Sequence, residues 1–227
     1  MALNGTVQGA TAGACGFDAD TQLTAGLARQ FFALGYRFCV RYVSRGPEAS
    51  ADLSGDEASA ILGAGLALMP VQHVRAPGWS PSASLGQQDG AAAAANAGAV
   101  GFPPGVNVWC DLEGLQPGAS AQQVIDYCNS WYDAVNAAGY VPGIYVGADA
   151  ILDGPTLRHK LKFAHYWKSL SHVPDIPGRG YQMIQSNEHD ANGIGIDENR
   201  TQTDLLGDTV LWLAPTPAGG VLVPPIT

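Results

Sequence analysis

The chain has 227 residues, of which 46% are hydrophobic and 14% are charged, and its formal net charge is -9. This composition fills a sizeable core and excludes an intrinsically disordered chain. The 11 Lys and Arg residues form no basic cluster, which argues against nucleic-acid binding and against electrostatic docking on an anionic membrane.

Short apolar runs alternate with helix-like segments in the first part of the chain. Ser120 and Gln123 have the spacing of a capping box, which marks the start of one helix, and Gly139 marks its end. The pattern predicts strands at 14–18, 36–42, 66–72 and 106–113, and helices at 21–34, 54–64, 85–100 and 120–138.

Four further apolar runs follow in the second part of the chain. We expect strands at 143–146, 163–168, 181–185 and 194–197. The connecting segments are shorter and contain Pro155, Pro174 and Pro177. Because proline interrupts helices, we expect the helices of this C-terminal half to be reduced or replaced by loops.

Eight strand-like runs joined by helices indicate an α/β protein with parallel strands. A closed eight-stranded barrel and a doubly wound open sheet both fit this alternation. The count of eight favours a single (β/α)8 TIM-type barrel, and the first strand is not followed by the Gly-rich loop of dinucleotide-binding sheets. We predict an N-terminal extension at 1–13, the barrel domain at 14–213 and a Pro/Gly-rich tail at 214–227.

Asp111 and Glu113 end the fourth predicted strand. Residues two apart on a strand share a face, so these carboxylates leave the strand on the same side. An apolar neighbour such as Trp109 and a second negative charge both raise the pKa of a carboxyl group. The pair therefore indicates acid/base chemistry, although a solvated strand end would give the same pattern.

The other predicted strand ends add further polar and aromatic residues. In βα barrels these ends converge on one mouth, where catalysis takes place. Carboxylates beside aromatic rings are typical of sugar-processing sites, in which one carboxyl group protonates the glycosidic oxygen. The residues at these ends are Asp18, Arg41, Tyr42, Gln72, His73, Tyr145, Tyr166, Trp167, Gln185 and Asp197.

Clustered carboxylates also suit a divalent cation, so a magnesium or calcium site is an alternative interpretation. The five histidines are scattered and no CxxC or HExxH motif is present, which argues against zinc. The GxSxG motif of many serine hydrolases is absent from the sequence, which argues against that class of enzyme. We expect no cofactor and no metal.

Several motifs, in their order and spacing, resemble one family. They are Gly16-Phe17-Asp18, Arg41-Tyr42, the Trp109 to Glu113 run, Gly143-Ile144-Tyr145, Trp167, Gln185 and Gly195-Ile196-Asp197. The chain resembles the glycoside-hydrolase-like domain family typified by a secreted mycobacterial protein, which is similar to glycoside hydrolase family 25, the Chalaropsis-type lysozymes. The resemblance spans about residues 14 to 200.

This resemblance implies a muramidase-like hydrolase of peptidoglycan. Glu113 is then the general acid, and Asp111, Asp18 and Asp197 position the substrate and stabilise positive charge. The expected substrate-binding residues are Arg41, Tyr42, Gln72, Tyr145, Trp167 and Gln185. The alternative is a catalytically inactive barrel that binds cell-wall glycan.

Residues 1–14 contain no basic residue and no compact apolar block, so the sequence predicts no secretory signal. No apolar run reaches the roughly 18 residues of a membrane-spanning helix. We expect synthesis in the cytoplasm and action at the cell wall or in the periplasm. A phage endolysin released by a holin fits this expectation, as does an antibacterial effector with an immunity protein.

Overall fold

A computed structural model describes residues 2–47 and 49–216, which form ten strands and five helices. The strands are β1 (Gly5–Gly9), β2 (Cys15–Ala19), β3 (Phe38–Val43), β4 (Ala67–Gln72), β5 (Asn107–Leu112), β6 (Val141–Val146), β7 (His165–Lys168), β8 (Met183–Ala191), β9 (Ile194–Thr201) and β10 (Leu211–Pro215). The helices are α1 (Ala25–Ala33), α2 (Gly55–Gly63), α3 (Ala83–Val100), α4 (Ala121–Ala137) and α5 (Gly154–Lys160).

Strands β2 to β9 close into an eight-stranded barrel. Each strand from β3 to β8 is parallel to the one before it, and β9 returns to pair with β2. One helix follows each of β2 to β6, and α5 has seven residues. The predicted TIM-type barrel with reduced helices in its C-terminal half is therefore confirmed.

The last barrel strand runs in the opposite direction to the one predicted. The sequence pattern indicated eight parallel strands, but β9 is antiparallel to both β8 and β2. Asn192 and Gly193 join β8 to β9 with φ values of 49° and 82°. A two-residue Asn-Gly turn with positive φ at both positions is the connection that folds two strands into an antiparallel hairpin. Asp197 therefore lies within β9 rather than at the carboxyl end of a parallel strand.

Serine and threonine side chains cap the first four helices, and Asp153 caps α5. Thr24, Ser54, Ser82 and Ser120 each accept a hydrogen bond from the backbone three residues later, and the capping box of Ser120 and Gln123 is present. Helix α3 packs closely on α4, and Gly86 makes this possible. A Cβ at position 86 would lie only 2.1 Å from the carbonyl oxygen of Tyr127. None of the described helices is long and apolar enough to cross a membrane.

The two ends of the described chain pair outside the barrel. Strand β1 is antiparallel to β10, and β10 contacts β4 through Leu213 and Leu68. The predicted N-terminal extension thus contains a strand, and the predicted tail boundary at 214 falls inside β10. Residues 217–227 lie outside the described residues. The division into extension, barrel and tail remains a prediction.

Candidate active site

Four carboxylates converge at the mouth formed by the carboxyl ends of the parallel strands. Asp18 and Asp197 are register partners on β2 and β9. Gln185 on β8 links them, since its Nε2 donates to Asp197 Oδ2 at 2.9 Å and to Asp18 Oδ2 at 3.3 Å. Asp111 is the penultimate residue of β5 and Glu113 follows the strand, and the charges of Asp18 and Asp197 act on this pair. The structure therefore brings together the four residues predicted to be catalytic.

Asp18 is buried and surrounded by hydrogen-bond donors. Asn199 Nδ2 donates to its Oδ2 at 2.6 Å, and Tyr42 OH donates to its Oδ1 at 3.3 Å. Burial raises the pKa of Asp18 to about 7, and the negative charge of Asp197 adds to this. Hydrogen bonds from Asn199, Gln185 and Tyr42 oppose the increase in pKa because they stabilise the ionised form.

The orientations of the two amides at Asp18 follow from their other partners. Trp167 Nε1 can only donate, and it donates to Asn199 Oδ1 at 2.7 Å, which turns Asn199 Nδ2 towards Asp18. Gln185 Oε1 accepts from Tyr145 OH at 3.1 Å and from Leu170 N at 3.0 Å, which turns Gln185 Nε2 towards the carboxylates. Both amides therefore act as donors to Asp18.

Asn199 was not among the predicted site residues. It lies two residues after Asp197 on β9, and residues two apart on a strand share a face. Extending the predicted strand beyond 197 would have placed Asn199 on the face that carries Asp197. The contact with Asp18 itself spans 181 positions of the chain.

Asp111 lies in a different environment from Asp18. It is buried, and its Oδ1 has no hydrogen-bond partner in the described structure. Trp109 lies two residues earlier on the same face of β5 and is fully buried. Burial raises the pKa of Asp111 well above its usual value, and the negative charges of Glu113 and Asp18 raise it further.

Glu113 is only partly buried and is held in a narrow space. Trp79 Nε1 donates to its carbonyl oxygen at 2.9 Å, which fixes the backbone. Gly147 lies against its side chain, because a Cβ at that position would be 2.4 Å from Glu113 Cβ and 2.5 Å from Glu113 Oε2. Burial and the charge of Asp197 raise the pKa of Glu113, whereas a hydrogen bond from the Ala148 backbone lowers it.

The pKa values of Asp18, Asp111 and Glu113 are all raised, but only Asp18 has three side-chain donors that oppose the increase. Two neighbouring carboxyl groups resist simultaneous ionisation, so a proton is retained on the pair to a higher pH. Environments that separate the protonation states of neighbouring carboxyl groups are typical of acid/base catalysis. Among the described residues, no group of three or more His, Cys, Asp or Glu is arranged to hold a metal ion.

An open cleft of about 390 Å³ lies beside Asp18 and Asp197. We call it the acidic cleft because five carboxylates line it and His189 is its one potentially cationic side chain among the described residues. Its lining residues are Asp18, Ala19, Asp20, Tyr42, Glu188, His189, Asp190, Gly195, Ile196 and Asp197. The partly buried ring of Tyr42 stacks on His73 with their centroids 4.7 Å apart.

Three of the predicted substrate-binding residues lie below the mouth. Arg41 is fully buried, where its Nε donates to Glu57 Oε1 at 2.7 Å and its guanidinium also donates to the Ala19 carbonyl oxygen. Gln72 is buried and accepts from Trp131 Nε1 at 2.8 Å. Trp167 is also buried, so its ring is not available as a sugar-stacking surface. Tyr42, Tyr145 and Gln185 do lie at the carboxylates.

The comparisons with known proteins agree with this fold. The model of the Rv2525c-like, glycoside hydrolase-like domain family matches residues 29–201, which confirms the resemblance expected from the motifs. No curated protein sequence matches the chain.

Solved structures share the barrel at low sequence identity. The Mycobacterium tuberculosis Tat-secreted protein Rv2525c, in complex with L-tartrate, is 20% identical with a TM-score of 0.65, covering 84% of this chain and 96% of that chain. A muramidase from Trichobolus zukalii is 18% identical with a TM-score of 0.60, covering 83% and 93%. A bacterial lysozyme from Streptomyces coelicolor is 15% identical with a TM-score of 0.59, covering 85% and 93%. At these identities the likeness establishes the fold.

Proposed function

The chain belongs to the Rv2525c-like, glycoside hydrolase-like domain family, and we propose that it is a muramidase-like hydrolase of the peptidoglycan glycan strand. The observation that carries this proposal is that four carboxyl groups with raised pKa values converge in one site and differ in their hydrogen-bond donors. Asp111 and Glu113 lie together in surroundings that favour a retained proton. Asp18 is held by three donors that favour its anion. Glycoside hydrolysis requires an acid and an anion in one site.

Glu113 is the proposed general acid. It is the more accessible member of the protonated pair, so it can reach a glycosidic oxygen in the mouth. Asp111 is the more buried member, and its raised pKa makes it a second carrier of the proton that the pair retains. Asp18 and Asp197 supply negative charge to the oxocarbenium-like transition state that forms as the bond breaks.

Gln185 and Asn199 hold the anionic side of the site in place. Each donates to Asp18, and Gln185 also donates to Asp197. Preorganised dipoles of this kind stabilise charge without having to reorient during the reaction. The phenol of Tyr145 holds Gln185 and lies beside Trp167 with ring centroids 4.6 Å apart. This arrangement makes Asp18 a fixed electrostatic partner.

The substrate class is proposed from the structural neighbours named as a muramidase and a lysozyme. Action at the cell wall or in the periplasm follows from that substrate. We propose a role as a phage endolysin that acts after holin release or as an antibacterial effector with a protective immunity protein. Both roles place an enzyme that cleaves glycan strands next to peptidoglycan.

Mass spectrometry of the soluble products from purified sacculi tests the proposal. We expect wild-type protein to release muropeptides with a reducing N-acetylmuramic acid end, and we expect Glu113→Gln to lower the rate by about 10²- to 10⁴-fold. Asp126→Asn is the matched control, because Asp126 is exposed on α4 and, among the described residues, its only side-chain partner is Gln122 of the same helix. It should cleave like the wild type.

Two outcomes contradict the proposal in different ways. Products that end in reducing N-acetylglucosamine would show cleavage of the other glycosidic bond. If wild type and Glu113→Gln both release nothing but both sediment with sacculi, the protein is a glycan-binding barrel without hydrolase activity.

A further inference from the structure

A second groove begins directly beside Glu113. It is lined by residues 115–119, 147, 149–152 and 172–174 and has a volume of about 520 Å³. It shares residues 172–174 with an adjoining groove of about 630 Å³, whose lining also includes Lys168 and Gln185. We call the two together the rim groove. Gly147 touches Glu113 at one end, and Gln185 holds Asp18 and Asp197 at the other. The rim groove therefore borders the carboxylate site through Gly147 and Gln185.

One wall of the rim groove carries an unusual backbone. Asp149 and Ile151 have φ values of 56° and 67°. The Leu152 N–H donates to the Ala150 carbonyl oxygen at 2.8 Å, which closes a three-residue turn around Ile151. A β-branched residue with positive φ is a genuine outlier, and such strain clusters at functional sites. The strained turn leaves the aliphatic side chain of Ile151 43% exposed on the groove wall.

The two sides of the carboxylate site differ in charge. The acidic cleft presents five carboxylates, which repel an anionic group. The rim groove contains Lys168 and His172 together with Asp149 and Asp175. Lys168 Nζ lies 3.8 Å from Asp175 Oδ1, and the Asp175 side chain is 97% exposed, so this ion pair is weak. With one Lys against two Asp, the rim groove repels an anionic substituent of the substrate less than the five carboxylates of the acidic cleft do.

We propose that the rim groove binds the peptide substituent of muramoyl residues, with Ile151 against an alanine methyl group and Lys168 and His172 towards the peptide carboxylates. This inference rests on the proposed function and deepens it, since it makes a peptide-substituted glycan the preferred substrate. The peptide combines small apolar side chains with carboxylates, which matches the lining of the groove. The acidic cleft then receives the part of the glycan without that negative charge.

The test compares two soluble probes, peptidoglycan oligosaccharides that carry their peptides and the same oligosaccharides after an amidase has removed the peptides. The readout is the ratio of kcat/KM for the two probes. We expect wild type to favour the peptide-bearing probe by about tenfold. Ile151→Asn and Lys168→Gln should each lower that ratio. Asn tolerates positive φ, so Ile151→Asn keeps the turn while removing the apolar contact.

The control is Leu205→Asn, which changes an exposed aliphatic residue in the loop between β9 and β10 at the opposite end of the barrel. It should leave the ratio unchanged. Equal kcat/KM for the two probes in the wild type overturns the inference but leaves the hydrolase intact. The same holds if Ile151→Asn and Lys168→Gln keep the full preference.

Calorimetric binding of both probes to Glu113→Gln separates this inference from the proposed function. Tighter binding of the peptide-bearing probe, reduced by adding Ile151→Asn, supports the rim groove even if the wild type cleaves neither probe. In that case only the proposed hydrolase activity fails. Absence of binding to both probes overturns the inference and the proposed function together.

Discussion

Replacing Gly147 by Ala tests whether the position of Glu113 limits the reaction. The added Cβ would lie 2.4 Å from Glu113 Cβ, 2.5 Å from Glu113 Oε2 and 2.9 Å from Tyr145 Cε1. Since optimal carbon contacts lie at about 3.5 to 4 Å, the Glu113 side chain must move by roughly 1 Å. A misplacement of that size can cost about 100-fold in rate. We therefore expect kcat to fall about 100-fold, with a much smaller change in KM.

The assay measures initial rates of reducing-end release from peptidoglycan oligosaccharides and the urea midpoint of each protein. Gly63→Ala is the matched control, because a Cβ at this position on α2 has no heavy atom within 4 Å. It should be as active as the wild type. The φ of Gly147 is not in the left-handed region, so the penalty at 147 is one of space. A stably folded Gly147→Ala protein with a kcat within about threefold of the wild type would refute the reasoning.

Three further predictions concern charges. Burial raises the pKa of Asp18 to about 7. Between about pH 4 and pH 7 the folded state therefore holds a proton that the unfolded chain releases. The free energy of unfolding falls as the pH rises through this range. Asp18 contributes roughly 4 kcal/mol to that decrease. Urea unfolding of Asp18→Asn at several pH values should show a shallower decrease than the wild type, and an equally steep one contradicts the assignment. Asn199→Leu removes a donor to ionised Asp18 and so raises the pKa of Asp18. The acidic limb of the pH-rate profile should therefore move to higher pH by about one to two units. An unchanged limb shows that Asp18 is not the titrating group. Arg41→Met leaves Glu57 buried without its cation and should destabilise the fold by about 3 to 5 kcal/mol in urea unfolding, with partial recovery in Arg41→Met/Glu57→Leu. An unchanged urea midpoint with lost glycan binding would instead support the predicted substrate-binding role of Arg41.

The sequence by itself determined the barrel and the position of its acid pair. Alternation of apolar runs with capped helices depends on local periodicity, which short-range sterics and hydrogen bonds control. Asp111 and Glu113 share a face because strand geometry has a period of two residues, and this is independent of the rest of the fold. The Asn192-Gly193 turn was also present in the sequence, but the prediction of parallel strands left this signal unused.

Tertiary structure decided which strand-end side chains reach the mouth. Arg41 has a carboxylate partner, Glu57, 16 positions away, and Gln72 has an indole partner, Trp131, 59 positions away. Asn199 approaches Asp18 only because β9 turns back to pair with β2. A buried polar group must find a partner, and partners from distant parts of the chain become neighbours only when the barrel closes. Local pattern therefore fixed where these residues lie along their strands, and closure of the barrel fixed whether each one serves the core or the carboxylate site.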